Sequence, residues 1–198
     1  DNKLKVSFQF SSSSLASESG SSEKASTFIN TVTASSLSNA INLVNGYLGK
    51  QINLSHCKVI IFSEKFALQG ISDEIYTLIN DTQIRPSANI VISKCDANYY
   101  IEQTKPELEN LISKYYEVFT SSSKYTGYMP DTTIGKFFDS LICTNCEPYA
   151  ILGGVNKGKT NDKKIMGLQK DYEIKANQSS ISGDNGTENI GVAVFKED

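Results

Sequence analysis

The sequence predicts an α+β chain: a mixed sheet built on a β-α-β-α-β segment flanked by helices, with a smaller α+β subdomain behind it. Three observations lead there. Leu4, Val6, Phe8 and Phe10 alternate with polar residues, the period of a strand with one buried face. Val59–Phe62 and Ile90–Ile92 are continuous apolar runs separated by helical patterns, as expected of strands covered on both faces. After Thr104 the texture changes to two amphipathic helices followed by extended segments.

In chain order, the first strand leads into a serine-rich segment over 11–26 that lacks any core-forming pattern and reads as a flexible loop. Thr27–Ala34 is rich in β-branched residues and reads as a second strand. Ser35, Ser36 and Ser38 offer N-caps for a helix whose apolar face is Leu37, Ala40, Ile41, Val44 and Leu48, closed by Gly49. The strand Val59–Phe62 precedes a short helical piece around Phe66–Leu68 that Gly70 ends. Ile75, Leu78 and Ile79 mark another helix before the strand Ile90–Ile92. Short connections in such a series imply parallel neighbours, to which the first strand adds antiparallel. Thr104-Lys105-Pro106-Glu107 has the form of a capping box, with Leu108, Leu111, Ile112, Tyr115, Val118 and Phe119 as the apolar face behind it. Asp131 or Thr132 caps a helix carrying Ile134, Phe137, Phe138 and Leu141. Tyr149–Leu152, Tyr172–Ala176 and Ile190–Phe195 read as extended, with a tight turn at Asp184-Asn185-Gly186. Residues 1–103 form the N-terminal mixed subdomain on this reading, and 104–198 the second.

Composition excludes several functions. The chain has 198 residues, 21% of them charged, and a formal net charge of −3. Arg85 is the single arginine, and such a charge balance does not suit a nucleic-acid surface, which needs clustered cations to displace counterions. No stretch approaches the roughly 18 apolar residues that span a membrane. No export signal opens the sequence, so any such signal has been removed or left out. His56 is the only histidine, which excludes a mechanism or metal site that needs two imidazoles from this chain. No cofactor is expected.

Four motifs invite a chemical reading. Gly153-Gly154-Val155-Asn156-Lys157-Gly158-Lys159-Thr160 matches the phosphate-binding G-x-x-x-x-G-K-[ST] pattern after a strand-like run. The residues that follow carry no helical apolar face, no later apolar run ends in an aspartate for the metal, and too little chain remains for a nucleotide-binding sheet. The motif therefore reads as a loop between strands. Cys143-x-x-Cys146 follows an apolar helix, placing it where the helix dipole disfavours a thiolate. It reads as structural thiols, with a local disulfide or a metal as alternatives. Cys57 and Cys95 read as core packing. Ser55, His56 and Cys57 are adjacent, but neighbours on an extended backbone point to opposite faces and make no dyad. His56 reads as a cap or hydrogen-bonding group at a strand start. Arg85, with its planar fork of donors, reads as a partner for a carboxylate or for carbonyls at a helix end.

The stretch His56-Cys57-Lys58-Val59-Ile60-Ile61-Phe62-Ser63-Glu64-Lys65-Phe66-Ala67 is followed by Gln69-Gly70-Ile71, Asp81-Thr82-Gln83-Ile84-Arg85-Pro86 and Ile90-Val91-Ile92-Ser93-Lys94. This series resembles the N-terminal region of the Ger(x)C family, the C-subunit lipoproteins of spore nutrient germinant receptors. Lys5–Phe10, Thr132–Phe137 and Gly191–Lys196 resemble further landmarks of the family. The resemblance implies landmark positions at His56, Glu64, Ala67, Gly70, Asp81 and Arg85, expected to be structural.

It also implies a non-enzymatic receptor subunit, acting with A and B subunits in nutrient-triggered germination. A lipid anchor on an N-terminal cysteine would tether the parent protein to the outer face of the spore inner membrane. A signal peptide, that cysteine and an apolar first strand are expected before Asp1, and a C-terminal domain after Phe195. Strand edges and a helix over Pro106–Phe119 are the expected contacts with partners. The competing expectation is a germinant-binding domain, with a site between the two subdomains and Arg85 holding a carboxylate.

Overall fold

The computed structural model describes residues 3–12, 26–49, 51–106, 109, 111–156 and 186–196. The two continuous apolar runs become neighbouring parallel strands, β3 (Val59–Ser63) and β4 (Asn89–Ser93), in register Val59↔Asn89 through Ser63↔Ser93. β5 (Tyr149–Asn156) adds parallel to β4, and β6 (Gly186–Val194) adds antiparallel to β5, giving a four-stranded mixed sheet in the order β3-β4-β5-β6. The fold is α+β, as the sequence predicts.

Alternate side chains of this sheet enter two cores. Ile60, Phe62, Ile90, Ile92, Ala150 and Ala193 pack against α2 (Glu64–Ala67), α3 (Ser72–Asn80) and α7 (Ile134–Ile142). Val59, Ile61, Val91, Ile151 and Val155 pack against α4 (Ala97–Gln103), α5 (Ile112–Glu117) and α6 (Phe119–Ser122). All five residues of β4 are buried, which is why its sequence shows no polar alternation. Strands and helices from both sides of Thr104 share each core, so a boundary placed there does not separate two hydrophobic cores.

The first two strands depart from expectation. β1 (Leu4–Ser12) and β2 (Ser26–Ala34) pair antiparallel as a separate two-stranded ribbon and do not join the main sheet. The β-α-β-α-β series is therefore parallel only at β3 and β4. The reason is on the polar face of β1. Ser7 Oγ donates to Asn98 Oδ1 on α4 (2.8 Å), as does Thr31 Oγ1 (3.1 Å), and Gln9 Nε2 donates to the Ile101 carbonyl (3.4 Å). Both faces of the ribbon are thus used: the polar one against α4, the apolar one against α1 (Leu37–Leu48). Ser11, Ser12 and Ser26 belong to the strands, so the ordered ribbon reaches into the segment expected to be loop; the rest of that segment lies outside the described residues.

Helix ends follow local chemistry. Ser36 caps α1, accepting the Asn39 amide at 3.2 Å, and Gly49 closes it with φ 62°. Gly70 has φ 93°, a conformation that favours glycine, and it turns the chain from α2 into α3. The cap of α7 is Thr133, one residue beyond the expected pair. Thr132 is instead buried and donates to the Tyr149 carbonyl at 2.9 Å.

The expected capping box at Thr104 fails. Thr104 ends α4, with its hydroxyl donating back to the Tyr100 carbonyl at 2.9 Å and its amide donating to the same carbonyl. The next helix begins only at Ile112. A threonine bonds a carbonyl four residues back as readily as it caps forward, and here the buried Tyr100-Ile101 pair extends helix up to it. The strand at 172–176 and most of the turn at 184–186 lie outside the described residues.

Candidate functional site

The parallel pair β3–β4 carries the landmark residues on its two ends. Glu64 opens α2 directly after β3 and forms an ion pair with Lys94, just past the end of β4, at 3.1 Å. Both side chains are partly exposed, so the pair contributes little to stability, on the order of 0–1 kcal/mol. It joins the carboxyl ends of the two strands. Ala67 is buried under the same corner, and Gly70 makes the turn beside it.

The opposite end holds His56, Asp81 and Arg85. His56 closes a 3-10 turn (Leu54–His56) two residues before Lys58 and is exposed. Asp81 ends α3; its Oδ1 accepts the Gln83 amide at 2.8 Å, and its carbonyl accepts the Ile84 amide at 3.1 Å. The loop it starts docks on the N-terminus of α7, where Ile134 donates to the Ala88 carbonyl (2.9 Å) and Gly135 to the Pro86 carbonyl (3.0 Å). Asp81 thus shapes a loop that fastens two helices to the edge of β4.

Arg85 departs from its expected role. Its side chain is exposed, and among the described residues it makes no ion pair or hydrogen bond; only its backbone carbonyl is engaged, by the Ala88 amide at 3.1 Å. Proline at 86 and the backbone bonds around it already fix the loop, leaving the guanidinium in solvent. The landmarks therefore form two clusters at opposite strand ends and no single constellation.

The phosphate-loop match resolves physically. Gly153 and Gly154 lie inside β5, and the Gly153 carbonyl accepts the Lys94 amide at 2.9 Å. A Cβ at Gly153 would sit 2.6 Å from Asn189 Oδ1, 3.0 Å from Tyr100 Cε2 and 3.1 Å from Val91 Cγ1. Glycine is required there for close approach of side chains from β4, β6 and α4, and not for a phosphate. The remainder of the motif lies outside the described residues.

Gly153 borders a buried polar cluster that sequence reasoning did not identify. The Tyr100 hydroxyl donates to Asn189 Oδ1 at 2.5 Å, and Asn189 Nδ2 donates to the Tyr115 hydroxyl at 3.4 Å. Burial pushes the phenols of Tyr100, Tyr115 and Tyr116 up, the Tyr100 group well above the usual range, with Asn189 opposing the shift at Tyr100 and Tyr115. All three stay protonated at physiological pH, the Tyr100 hydroxyl donating to Asn189 and the Tyr115 hydroxyl accepting from it. The Tyr116 hydroxyl, near Thr104, is buried without a partner of hydrogen-bond geometry among the described residues. The Gly153-Gly154 pair directly after an apolar strand run was the one signal that marked this contact.

The cysteines divide into two pairs. Cys143 and Cys146 form a disulfide at the C-terminal end of α7, where both residues are exposed; the reading as structural thiols gives way to its alternative. Three-residue spacing and a turn at the helix end bring the two sulfurs together. Cys57 and Cys95 are free, and burial raises both thiols, partly offset by the Val59 carbonyl at Cys57 and the Ser93 hydroxyl at Cys95. That disfavours the reactive thiolate.

Two open hollows mark the described surface. One is lined by Ser38, Tyr76, Thr77, Asn80 and Asp81, the other by Phe10, Phe28, Ile29, Asn30 and Leu48. The helix expected over Pro106–Phe119 is shorter and broken, and Ile112, Tyr116 and Phe119 turn into the core, so its apolar face is not presented to a partner. No described helix is long and apolar enough to cross a membrane.

No curated protein and no solved structure matches the chain. A family model described as the spore germination protein N-terminal domain matches residues 1–152, which include β1 to β4, the seven described α-helices and the first half of β5. The chain therefore belongs to the Ger(x)C family of spore germination proteins, and its role lies in germination.

Proposed function

We propose that this chain is the non-enzymatic N-terminal region of the C subunit of a nutrient germinant receptor, held by a lipid anchor on the outer face of the spore inner membrane and acting with A and B subunits. The observation that carries the reading is the family match over residues 1–152. The disulfide Cys143–Cys146 supports an extracytoplasmic location, because cytosolic thiols are kept reduced. The residues that invite a chemical reading suit packing instead: Gly153 admits Tyr100 and Asn189, and both free thiols, Cys95 buried and Cys57 half-buried, are raised by desolvation.

Mechanically, tethering confines the domain to the bilayer surface and raises its effective concentration beside membrane partners. The described residues, built around two cores, then offer surfaces for assembly. Detergent extraction of spore inner membranes and affinity purification of the full-length protein test the assembly. A polytopic B-type and an A-type protein should co-purify, and the purified chain should carry an acylated N-terminal cysteine by mass spectrometry. Recovery of an unacylated protein without either partner contradicts the reading.

The competing reading, a germinant-binding domain, is expected to place its site between the two subdomains; the hollow of Ser38, Tyr76, Thr77, Asn80 and Asp81 is a candidate that lies wholly within residues 1–103. Calorimetry with amino acids and sugars at millimolar concentration distinguishes the two. Heat of binding that Arg85→Ala removes would favour the sensor.

A further inference from the structure

We propose that the Cys143–Cys146 disulfide is a thiol–disulfide exchange site, opened and closed by a partner protein that carries a closely spaced dithiol of its own. Its place in the fold differs from that of a bond that holds a chain together. It joins residues only 3 apart in sequence, so it removes little freedom from the unfolded chain. The elements on either side are fixed without it. α7 is anchored by the buried Ile134 and Phe137 and by the Ile134 amide on the Ala88 carbonyl (2.9 Å). Past the turn, β5 is paired on both edges, and the Pro148 carbonyl accepts the Phe195 amide at 2.9 Å. Every residue from Ile142 to Glu147 is exposed, so the bond lies on a turn open to solvent. Exposed disulfides are the labile ones. Cys57 and Cys95 are the opposite case, free thiols withdrawn into or towards the core, so an incoming thiolate meets accessible sulfur only at this pair.

The spacing selects the co-reactant. The incoming thiolate bonds to Cys143 Sγ, the Sγ–Sγ bond breaks, and Cys146 leaves with the electron pair and takes up a proton. Cys146 is the better leaving group, because Cys143 is the C-cap of α7, where the carbonyl end of the helix disfavours negative charge. In the mixed disulfide Cys146 stays close to the bond, at high effective concentration, and expels a monothiol. A dithiol partner escapes this reversal. Its second thiol attacks its own sulfur in the mixed disulfide, the bond to Cys143 breaks, and Cys143 takes up a proton. The chain gains two electrons, the partner's dithiol becomes a disulfide, and the protons taken up are those the partner's thiols release. Run backwards, the same steps restore the Cys143–Cys146 bond. Exchanging one short disulfide loop for another is close to balance, so the partner's redox state sets that of the turn between α7 and β5.

Mixing the oxidised chain with an equal concentration, about 10 µM, of a reduced thioredoxin-type protein tests this, with acid quenching, alkylation and mass spectrometry as the readout. At equilibrium at least about one third of the chain should carry new alkyl groups on Cys143 and Cys146, and the same concentration of glutathione should reduce at least about tenfold less. The oxidised thioredoxin-type protein should return the reduced chain to the disulfide, and far-UV circular dichroism should be the same in both forms. A thioredoxin-type variant without its second cysteine should trap the chain through Cys143. A smaller reduced fraction, or exchange only in unfolding concentrations of urea, overturns the proposal. So does a reduced chain that loses its far-UV signal, which would give the bond a structural role. Trapping through Cys146 overturns the assigned direction of attack.

Discussion

Gly153→Ala puts the reading of the Gly153–Thr160 motif to a direct test. The added methyl would lie 2.6 Å from Asn189 Oδ1 and about as close as van der Waals radii forbid to Tyr100 and Val91. Asn189 cannot retreat without breaking its bond from the Tyr100 hydroxyl, and Tyr100 is fully buried. Overpacking of this kind costs about 1–3 kcal/mol. Loss of the buried Tyr100–Asn189 bond adds about 1 kcal/mol. The expected loss is about 3 kcal/mol, read as a lower urea midpoint with unchanged slope. Gly127→Ala is the control, since nothing lies within 4 Å of its Cβ position, and it should change stability by less than about 0.5 kcal/mol. If Gly153→Ala is as stable as the parent, the close-approach argument fails. Micromolar, Mg²⁺-dependent ATP binding by the parent would restore the phosphate reading.

Further outcomes follow from the same structure. Titrating thiols without reductant should find two, Cys57 and Cys95, and four after reduction; breaking the short Cys143–Cys146 loop should cost about 2 kcal/mol by loop entropy. Native-state alkylation of Cys57 and Cys95 should be slow at pH 7 and accelerate only above the usual thiol range, because burial raises both. Tyr100, Tyr115 and Tyr116 have phenols raised by burial, so above about pH 10 the unfolded chain holds fewer protons than the folded one. Stability should therefore be intact below that pH and fall above it, with these phenolates appearing at 295 nm only as the chain unfolds. Ser36→Ala, which removes the cap of α1, should lower stability by about 1 kcal/mol in urea denaturation.

What the sequence disclosed followed the strength of local signals. β3 and β4 were legible because side chains on both faces enter a core and the centres of both strands are continuous apolar runs. α1 was legible because an apolar stripe, serine caps and Gly49 agree. The partner of β1 was not, because a period of two says that a strand has two different faces but not which element meets them. Ser7 and Gln9, polar residues suited to solvent, were in fact bonded to α4. Thr104 misled because its hydroxyl serves the helix behind it. Asn189 and Tyr100 meet across 89 residues of sequence, and no local pattern carries such a contact. The landmark residues placed the chain in its family without disclosing that they divide between the two ends of β3 and β4.

Spores lacking the gene put the proposed role in nutrient-triggered germination to the test. In a strain where the proposed receptor is the only one of its type, deletion should abolish the nutrient-induced fall in optical density, and the full-length gene should restore it. Germination at the parental rate without the gene would contradict the account.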